Sequence, residues 1–310
     1  MKHTNLVTLA DGRQLGYADY GDPQGDVVLL FHGLPGSRLQ RPTDESVAIR
    51  MGARVIAVDR PGFGYSSYQA GRTLRDWPRD IAALADQLGI ERFAVAGISA
   101  GGVYALATAW GLPDRVSAVA TASSPSPTML PGVLQGMIRS NQIVIKVAQR
   151  TPPRLAPQVA RLINGITRRE PKLIAGVVFG LVSAPLTPEE QGYLNDPALQ
   201  AMYIESVLDA YRNGWDGHAW DLIVLNRPWG FDLGEIRVPV HLWHGEADEL
   251  VPPVMGRYLA SHIPTCQATF IPGAGHLLIF AHWPNMLATI LHSHRRTPQV
   301  YANSSAFLTD

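Results

Sequence analysis

The sequence offers almost nothing from which covalent or metal cross-links could be built. Cys266 is the only cysteine among 310 residues, and this excludes an intrachain disulfide. The cysteine and histidine spacings of structural zinc sites are also missing. We therefore expect Cys266 to be a buried, unreactive thiol.

An excess of charge of either sign is also lacking. The 26 lysines and arginines balance 26 aspartates and glutamates, so no broad positive field is available to attract nucleic acid or anionic lipid. Charged residues make up only 17% of the chain and hydrophobic residues 46%, which is typical of a folded protein with a sizeable core. Nucleic acid is therefore not an expected partner.

Long hydrophobic runs are missing as well. Residues 1–17 alternate apolar and polar side chains, where a signal peptide needs a continuous apolar stretch. The most apolar segment, Leu173–Leu186, is shorter than the roughly 20 residues of a membrane-spanning helix. It is predicted to be a buried or cavity-lining helix. We expect a cytoplasmic protein that does not insert into a membrane.

The first half of the chain alternates short β-rich runs with helical patterns, which predicts a parallel sheet with crossover helices. The predicted strands of the chain are 27–32, 54–59, 92–97, 116–122, 238–245 and 267–273. The clearest predicted helix runs from Thr73 to Leu88, because its apolar residues recur at steps of three and four.

After Ser124 this alternation stops for about a hundred residues, which contain helical stretches and prolines but no convincing strand. We therefore predict an α/β core formed by residues 1–124 and 236–310, interrupted by a helical insertion over residues 125–235. The polar tail from Pro298 is expected to be frayed.

Residues 97–102, GISAGG, crowd three glycines around Ser99 directly after a predicted strand. A serine hydroxyl is a useful nucleophile only when it protrudes toward the substrate and a base takes its proton. A sharp strand-to-helix turn makes it protrude, provided that the positions two before and two after are very small, as Gly97 and Gly101 are. Starting a helix at Ser99 also directs free N–H groups toward a nearby oxyanion. Ser99 is the predicted nucleophile.

The predicted base is His276, because histidine exchanges protons near neutral pH and the glycine-rich loop IPGAGH could turn its ring over the sheet edge. Weaker candidates are His282, His241 and His244. The last two could suggest a metal pair, but a third ligand at a familiar spacing is not evident.

The predicted acid is Asp248, which lies just beyond the strand 238–245 and could hold the imidazole in one tautomer. Glu246 and Glu249 share this stretch and stay open as alternatives. The order Ser99, Asp248, His276 is that of a nucleophile-elbow hydrolase.

The stretch HGLPGS, residues 32–37, follows the first predicted parallel strand and could complete such a site. Acyl transfer creates a negative oxygen that two backbone N–H donors can stabilise. We predict the N–H groups of Leu34 and Ala100 as this oxyanion hole, with Gly33 bending the loop. His32 is expected to brace the loop rather than to react.

In order, the stretches HGLPGS, GISAGG, HGEADELVP and GAGH resemble the capped, HG-x-P branch of the α/β-hydrolase superfamily. DRPGFGYSS, residues 59–67, is similar to a family turn in which Asp59 would be structural. The resemblance covers residues 12–294 except the insertion. It implies a mostly parallel sheet flanked by helices, with the insertion as a helical cap, or lid, over the nucleophile.

The resemblance implies a serine hydrolase that needs no cofactor and cleaves a carboxylic ester. The insertion is rich in apolar and aromatic residues and shows no cluster of arginines or lysines that would indicate a phosphate or polycarboxylate ligand, so we expect a neutral, moderately apolar small molecule as the substrate. Ser99 stands where epoxide hydrolases and haloalkane dehalogenases of this fold carry an aspartate, which disfavours both activities. Hydrolysis of lactones, carbon–carbon bonds or amides in the manner of proline iminopeptidases stays open, as do acyl transfer and a non-catalytic ligand-binding role. The acyl size and the oligomeric state are not predicted.

Overall fold

The computed structural model describes residues 4–155, 158, 160, 163, 164 and 186–296. Over these residues the chain forms one eight-stranded sheet in the order β1-β2-β4-β3-β5-β6-β7-β8. Strands β3 to β8 are parallel, whereas β2 is antiparallel to both of its neighbours, β1 and β4. The strands are β1 Asn5–Thr8, β2 Gln14–Gly21, β3 Asp26–Phe31, β4 Ala53–Val58, β5 Phe93–Ile98, β6 Val116–Ala122, β7 Val240–Gly245 and β8 Cys266–Ile271.

Helices cover both faces of this sheet. Numbered over the described residues, they are α1 Glu45–Met51, α2 Trp77–Gln87, α3 Ala100–Gly111, α4 Arg139–Arg150, α5 Pro188–Tyr193, α6 Pro197–Ala210, α7 Asp216–Leu225, α8 Pro253–His262 and α9 Leu278–Arg296. Because strand side chains alternate between faces, Leu29 and Phe31 pack with α2 and α3 while Val28 and Leu30 pack with α1 and α9. The predicted α/β-hydrolase architecture, a mostly parallel sheet flanked by helices, is confirmed.

All six predicted strands are present, with ends that differ by at most two residues. The predicted helix 73–88 is present but begins four residues later, at Trp77. Its expected first turn is a separate loop, because the carboxylate of Asp76 accepts hydrogen bonds from the backbone N–H and the hydroxyl of Thr73, at 2.7 and 2.8 Å. This local ring ties the backbone before the helix can start.

The hairpin of β1 and β2 was not among the predicted strands. Its turn carries Asp11 and Gly12, and Gly12 has a positive φ of 84°, a conformation that glycine adopts without steric cost. Over residues 5–17 the alternating pattern is thus the period of a strand pair. Strands β1 and β2 form the antiparallel edge of the sheet.

Between β6 and β7 the described residues contain helices α4 to α7 and no strand. Here we call residues 125–235 the insertion. The predicted helix over 173–186 lies, apart from buried Leu186, outside the described residues, as does the tail from Pro298. None of the helices in the described part of the chain is long and apolar enough to cross a membrane. Cys266 is half-buried rather than fully buried, and this burial raises the pKa of its thiol to about 11.

The backbone of the insertion lies close to that of the core where two glycines meet. Gly62 lies in the loop after β4, and Gly217 lies in the first turn of α7. A Cβ on Gly62 would lie 2.6 Å from Cα of Gly217, and a Cβ on Gly217 would lie 2.5 Å from the carbonyl oxygen of Gly62. Helix α7 therefore packs backbone to backbone on this loop, and only glycine fits at either position.

Candidate active site

Ser99 lies at a sharp turn between β5, which ends at Ile98, and α3, which begins at Ala100. Its backbone has φ 51° and ψ −123°, a combination that costs a residue with a side chain on the order of 1–3 kcal/mol and persists only when the surroundings enforce it. The backbone N–H of Ser99 donates to the carbonyl oxygen of Ala122 at the end of β6, at 2.8 Å. The turn is therefore tied to the carboxyl edge of the sheet.

The glycines around Ser99 are required by close backbone packing. A Cβ on Gly97 would collide with the carbonyl group of Gly101, and a Cβ on Gly101 would collide with the carbonyl oxygens of Phe31 and His32. Helix α3 thus starts in direct contact with both the turn and the end of β3. This is the packing reason that the sequence analysis gave for Gly97 and Gly101.

Asp248 and His276 are hydrogen-bonded to each other. Nδ1 of His276 lies 2.8 Å from Oδ2 of Asp248, and Oδ1 of Asp248 accepts from the backbone N–H groups of Leu250 and Val251 at 2.9 and 2.8 Å. Both carboxylate oxygens are therefore occupied, which fixes the orientation of the carboxylate. A ring that donates from Nδ1 presents Nε2 as the proton acceptor.

The two glutamates that competed with Asp248 are placed elsewhere. Glu246 forms an ion pair with Arg257 at 2.9 Å on the protein surface, and the side chain of Glu249 is exposed. Of the three acids in this stretch, the structure brings Asp248 to His276.

Opposing effects act on the pKa of His276. Burial of the ring lowers the pKa, but the charge and hydrogen bond of Asp248, with a further contribution from the charge of Glu190, outweigh burial and raise it above 6.5. The side chain is 11% exposed, so water screens these charges only weakly. The imidazolium form is thereby stabilised, which is what a base needs when it holds a proton during the reaction.

Ser99 follows the carboxyl end of β5 and His276 follows that of β8, so both lie at the same edge of the parallel strands. Leu278 and Ile279, just after His276, lie in the same buried cluster as Ile98 and Ala122, which flank the Ser99 turn. Among the described residues, neither the Ser99 hydroxyl nor Nε2 of His276 has a hydrogen-bond partner, and in ligand-free enzymes such contacts often tighten only when substrate binds. The structure thus places the candidate nucleophile and base at one edge of the sheet.

The other candidate histidines have separate partners. Nε2 of His241 lies 2.7 Å from the hydroxyl of Ser293, and Nε2 of His244 lies 2.8 Å from the carbonyl oxygen of Val251. His282 lies within α9. In the described ranges, no group of three or more His, Cys, Asp or Glu residues is arranged to hold a metal ion.

The HGLPGS loop lies directly against the Ser99 turn. A Cβ on Gly33 would lie 3.4 Å from Cβ of Ser99, and the N–H of Gly33 donates to Oε1 of Gln40 at 2.6 Å. The backbone N–H groups of Leu34 and Ala100 make no hydrogen bond within the described residues. Two donors are therefore free beside the serine, as an oxyanion hole requires.

His32 braces this loop. Its Nδ1 lies 2.9 Å from the carbonyl oxygen of Gly33, and its Nε2 accepts from the backbone N–H of Arg60 at 3.1 Å. Burial, followed by the charge of Arg60, lowers the pKa of His32 well below 6.5. The ring is therefore neutral, and both of its nitrogens are used in holding backbone groups.

Asp59 also has the structural role expected of it. Its carboxylate accepts from the backbone N–H groups of Arg38 and Tyr65 at 2.6 and 2.9 Å and pairs with the guanidinium of Arg38 at 3.0 Å. It thereby joins the loop after β3 to the loop after β4.

Arg60 and Asp221 were not among the site residues predicted from the sequence. The Arg60 guanidinium donates to the carbonyl oxygens of His32 and Gly33 and pairs at 2.8 Å with Asp221, which lies on α7 of the insertion. Both side chains are fully buried. The HGLPGS loop is therefore held through Arg60 by a residue of the insertion.

Comparisons with known proteins show the family and the fold of the chain. A sequence profile of the family described as alpha/beta hydrolase fold matches residues 26–282. A bifunctional esterase/perhydrolase from Acinetobacter calcoaceticus is 26% identical over 278 residues, which cover 87% of this chain and 92% of that protein.

Solved structures with related folds cover nearly the whole chain. A thermophilic esterase from Thermogutta terrifontis superposes with a TM-score of 0.64 at 24% identity, covering 95% of this chain and 98% of that one. An enol-lactonase from Burkholderia xenovorans LB400 superposes with a TM-score of 0.66 at 20% identity, covering 93% and 99%. At these identities the structures establish a shared fold.

Proposed function

This chain belongs to the alpha/beta hydrolase fold family, and we propose that it is a serine hydrolase that cleaves carboxylic esters through an acyl-enzyme. The observation that carries the proposal is the strained turn at Ser99 on the same sheet edge as the hydrogen-bonded pair of His276 and Asp248. A strained serine between a strand and a helix, with an oriented histidine nearby, is the arrangement that activates a hydroxyl for acyl transfer.

In the proposed mechanism, Nε2 of His276 takes the hydroxyl proton while Oγ of Ser99 attacks the ester carbonyl carbon. The N–H groups of Leu34 and Ala100 bind the resulting oxyanion, and Asp248 stabilises the imidazolium. The tetrahedral intermediate expels the alcohol, which receives the proton from His276. Water then attacks the acyl-enzyme while His276 takes its proton. The second tetrahedral intermediate releases the acid, and His276 returns the proton to Oγ of Ser99.

Charge pairing at the site supports a neutral substrate. The buried arginines in the loops at this edge, Arg38, Arg60 and Arg72, all form ion pairs with aspartates at distances between 2.5 and 3.0 Å. A carboxylate or phosphate on the substrate would need a guanidinium that is not already neutralised. A neutral, moderately apolar acyl group is therefore the substrate class that we propose.

The insertion is proposed as the cap, or lid, of the site, with the domain boundaries at 125 and 235 taken from the sequence. Its helices contribute Ser206, which accepts from the backbone N–H of Ser37 at 3.0 Å, and Asp209, which pairs with Arg38 at 2.5 Å. These contacts support a cap seated on the oxyanion loop. The cytoplasmic location stays a prediction from the sequence.

The decisive experiment is incubation with a small fluorophosphonate followed by peptide mass mapping. It detects an activated serine without the natural substrate. We expect an adduct on Ser99 that is lost in His276→Ala, and a fall in kcat of roughly 10⁴ to 10⁶ in Ser99→Ala. A folded protein that forms no adduct, or a Ser99→Ala variant with an unchanged rate, would contradict the proposal and favour a ligand-binding role.

Acyl transfer is a second candidate, favoured by the perhydrolase activity in the name of the Acinetobacter calcoaceticus relative. An acceptor other than water would then attack the acyl-enzyme. Product formed from a simple ester should rise with added alcohol or peroxide if this reaction competes, and unchanged kinetics would count against it. The same ester can be compared with a lactone, an amide and a carbon–carbon bond substrate at matched concentrations.

A further inference from the structure

We propose that Glu190, a buried carboxylate of the insertion, is a positioning residue that holds the His276 loop and places a second negative charge beside the imidazole. The inference rests on the proposed function, in which His276 is the base. If Glu190 has this role, the position and the pKa of His276 depend on the packing of the insertion against the core.

Glu190 lies on α5 and is only 2% exposed. Its Oε1 accepts a short hydrogen bond from the backbone N–H of Leu277, the residue directly after His276. Its Oε2 accepts from the backbone N–H and hydroxyl of Thr187 at 3.1 and 3.2 Å. One carboxylate oxygen is thus used within the insertion and the other on the His276 loop.

The residue before His276 also lies against this carboxylate. A Cβ on Gly275 would overlap the carboxylate of Glu190. The φ of Gly275 is not positive, so glycine is not required there for its backbone conformation. Its small size is what lets Glu190 approach, and the carboxylate therefore contacts both chain neighbours of His276.

Apolar packing brings together the three segments that carry Glu190, Asp248 and His276. Leu186, Leu250 and Leu277 form one buried cluster, and each lies within a few residues of one of these groups. Because close packing leaves little room for movement, this cluster fixes the distance between α5 of the insertion and the two loops of the core.

Helix capping alone does not explain the position of Glu190. A capping box needs one carboxylate oxygen and works on an exposed helix end. Here the carboxylate is buried, which is costly unless hydrogen bonds repay the desolvation, and its second oxygen reaches a residue 87 positions away. The contact with Leu277 is the feature that a cap would not need.

The charged and titratable groups around His276 are Asp248 at 2.8 Å, Glu190, and His244, which lies 3.9 Å from Asp248. The carboxylates of Asp248 and Glu190 stabilise the imidazolium, and both raise the pKa of His276. Removing the charge of Glu190 while keeping its shape should therefore lower that pKa. A base with a lower pKa stays neutral, and hence competent, to lower pH.

The test measures the protonation of His276 directly. The Cε1–H resonance of His276, assigned with His276→Ala, is titrated by NMR in the wild type, in Glu190→Gln and in Glu189→Gln. We expect a lower titration midpoint in Glu190→Gln and no change in Glu189→Gln, which removes a charge from an exposed position on the same helix. An unchanged midpoint in folded Glu190→Gln overturns the proposal.

The positioning role is tested by the rate of fluorophosphonate labelling across pH. In Glu190→Gln the acid limb should move to lower pH. Gly275→Ala should slow labelling about 10- to 100-fold, since a small misplacement near the reacting groups costs this much. In Gly275→Ala combined with Glu190→Ala, part of the lost labelling rate should be recovered. If the two substitutions instead reduce the rate by the product of their separate effects, the two positions do not interact.

The outcomes separate the two proposals. A wild type that is not labelled contradicts the proposed hydrolase function, while the NMR midpoints still decide the role of Glu190. A labelled wild type with the same midpoint and acid limb in Glu190→Gln contradicts only the role of Glu190. If Glu190→Ala fails to fold, the Glu190→Gln titration alone decides.

Discussion

The buried ion pair of Arg60 and Asp221 joins the core to α7. We predict that replacing Asp221 lowers the free energy of unfolding more than replacing Arg60 does. Asp221 accepts from Arg60 at 3.0 and 2.8 Å, from Arg72 at 2.6 Å and from the hydroxyl of Tyr104 at 2.5 Å. Two cations therefore share one carboxylate in a site without water contact. We compare Arg60→Met with Asp221→Leu, because both replacements are apolar and of similar volume.

Asp221→Leu leaves two buried guanidiniums with no counter-charge, and breaking a buried pair in this way costs about 3–5 kcal/mol of the free energy of unfolding. Arg60→Met leaves Arg72 and Asp221 as a balanced pair. It also leaves the carbonyl oxygen of His32 without its donor, which costs about 1–3 kcal/mol. Asp221→Leu should therefore be the more destabilising substitution, by roughly 2 kcal/mol.

Guanidinium unfolding followed by tryptophan fluorescence measures this difference. Arg75→Met is the matched control, since Arg75 is exposed and its loss should change the free energy of unfolding by less than about 0.5 kcal/mol. Equal losses in Arg60→Met and Asp221→Leu, or a larger loss in Arg60→Met, would refute the charge-sharing argument. Arg60→Met should also lower kcat about 10- to 100-fold with little change in KM, because the loop that carries Leu34 loses its support.

Three further predictions concern single residues. Gly101→Ala should abolish labelling and destabilise the fold by about 1–3 kcal/mol, because its Cβ collides with two carbonyl oxygens, whereas Gly192→Ala, where nothing lies within 4 Å, should not. Denaturant unfolding and labelling check both. The rate kcat/KM should fall on acidification with a midpoint above 6.5, since the pKa of His276 is raised and the base must be neutral to act; a pH–rate profile with a midpoint at or below 6.5 would contradict this. Burial, the largest cause, lowers the pKa of His218 to about 4. As the pH falls from 6.5 to 4, this imidazole stays neutral in the folded state while it takes up a proton in the unfolded chain. The free energy of unfolding should therefore fall by about 3 kcal/mol over this range. In unfolding experiments across this range, the loss should be smaller by about this amount in His218→Gln than in the wild type, since other buried histidines such as His32 contribute to the loss in both proteins.

The parts of the site that the sequence predicted are those with local signals. The turn at Ser99 could be predicted because Gly97 and Gly101 lie two residues from it, and their collisions with backbone carbonyls give the physical reason. The sequence favoured Asp248 as the acid but left its two neighbouring glutamates open as alternatives. All three acids follow the same strand, and only the fold shows which one faces His276.

The residues that could not be predicted act over long sequence separations. Glu190 lies 87 residues from Leu277, and Asp221 lies 161 residues from Arg60. Locally, Glu190 has the spacing of an ordinary capping box with Thr187, and Asp221 is one polar residue within a helix. Their contacts form only when the insertion packs on the core. No local pattern in the sequence therefore predicts their roles.

The contact between Gly62 and Gly217 limits which parts of this protein could be exchanged with those of a relative. A hybrid whose insertion carries alanine or a larger residue at 217 would push α7 off the loop after β4. That shift would separate Asp221 from Arg60 and release the HGLPGS loop, although neither half of the hybrid is altered at Ser99. In a functional hybrid, the loop containing Gly62 and helix α7 should therefore come from the same parent protein. A library of recombinants would keep activity only where both come from the same parent, or where both parents have glycine at these two positions.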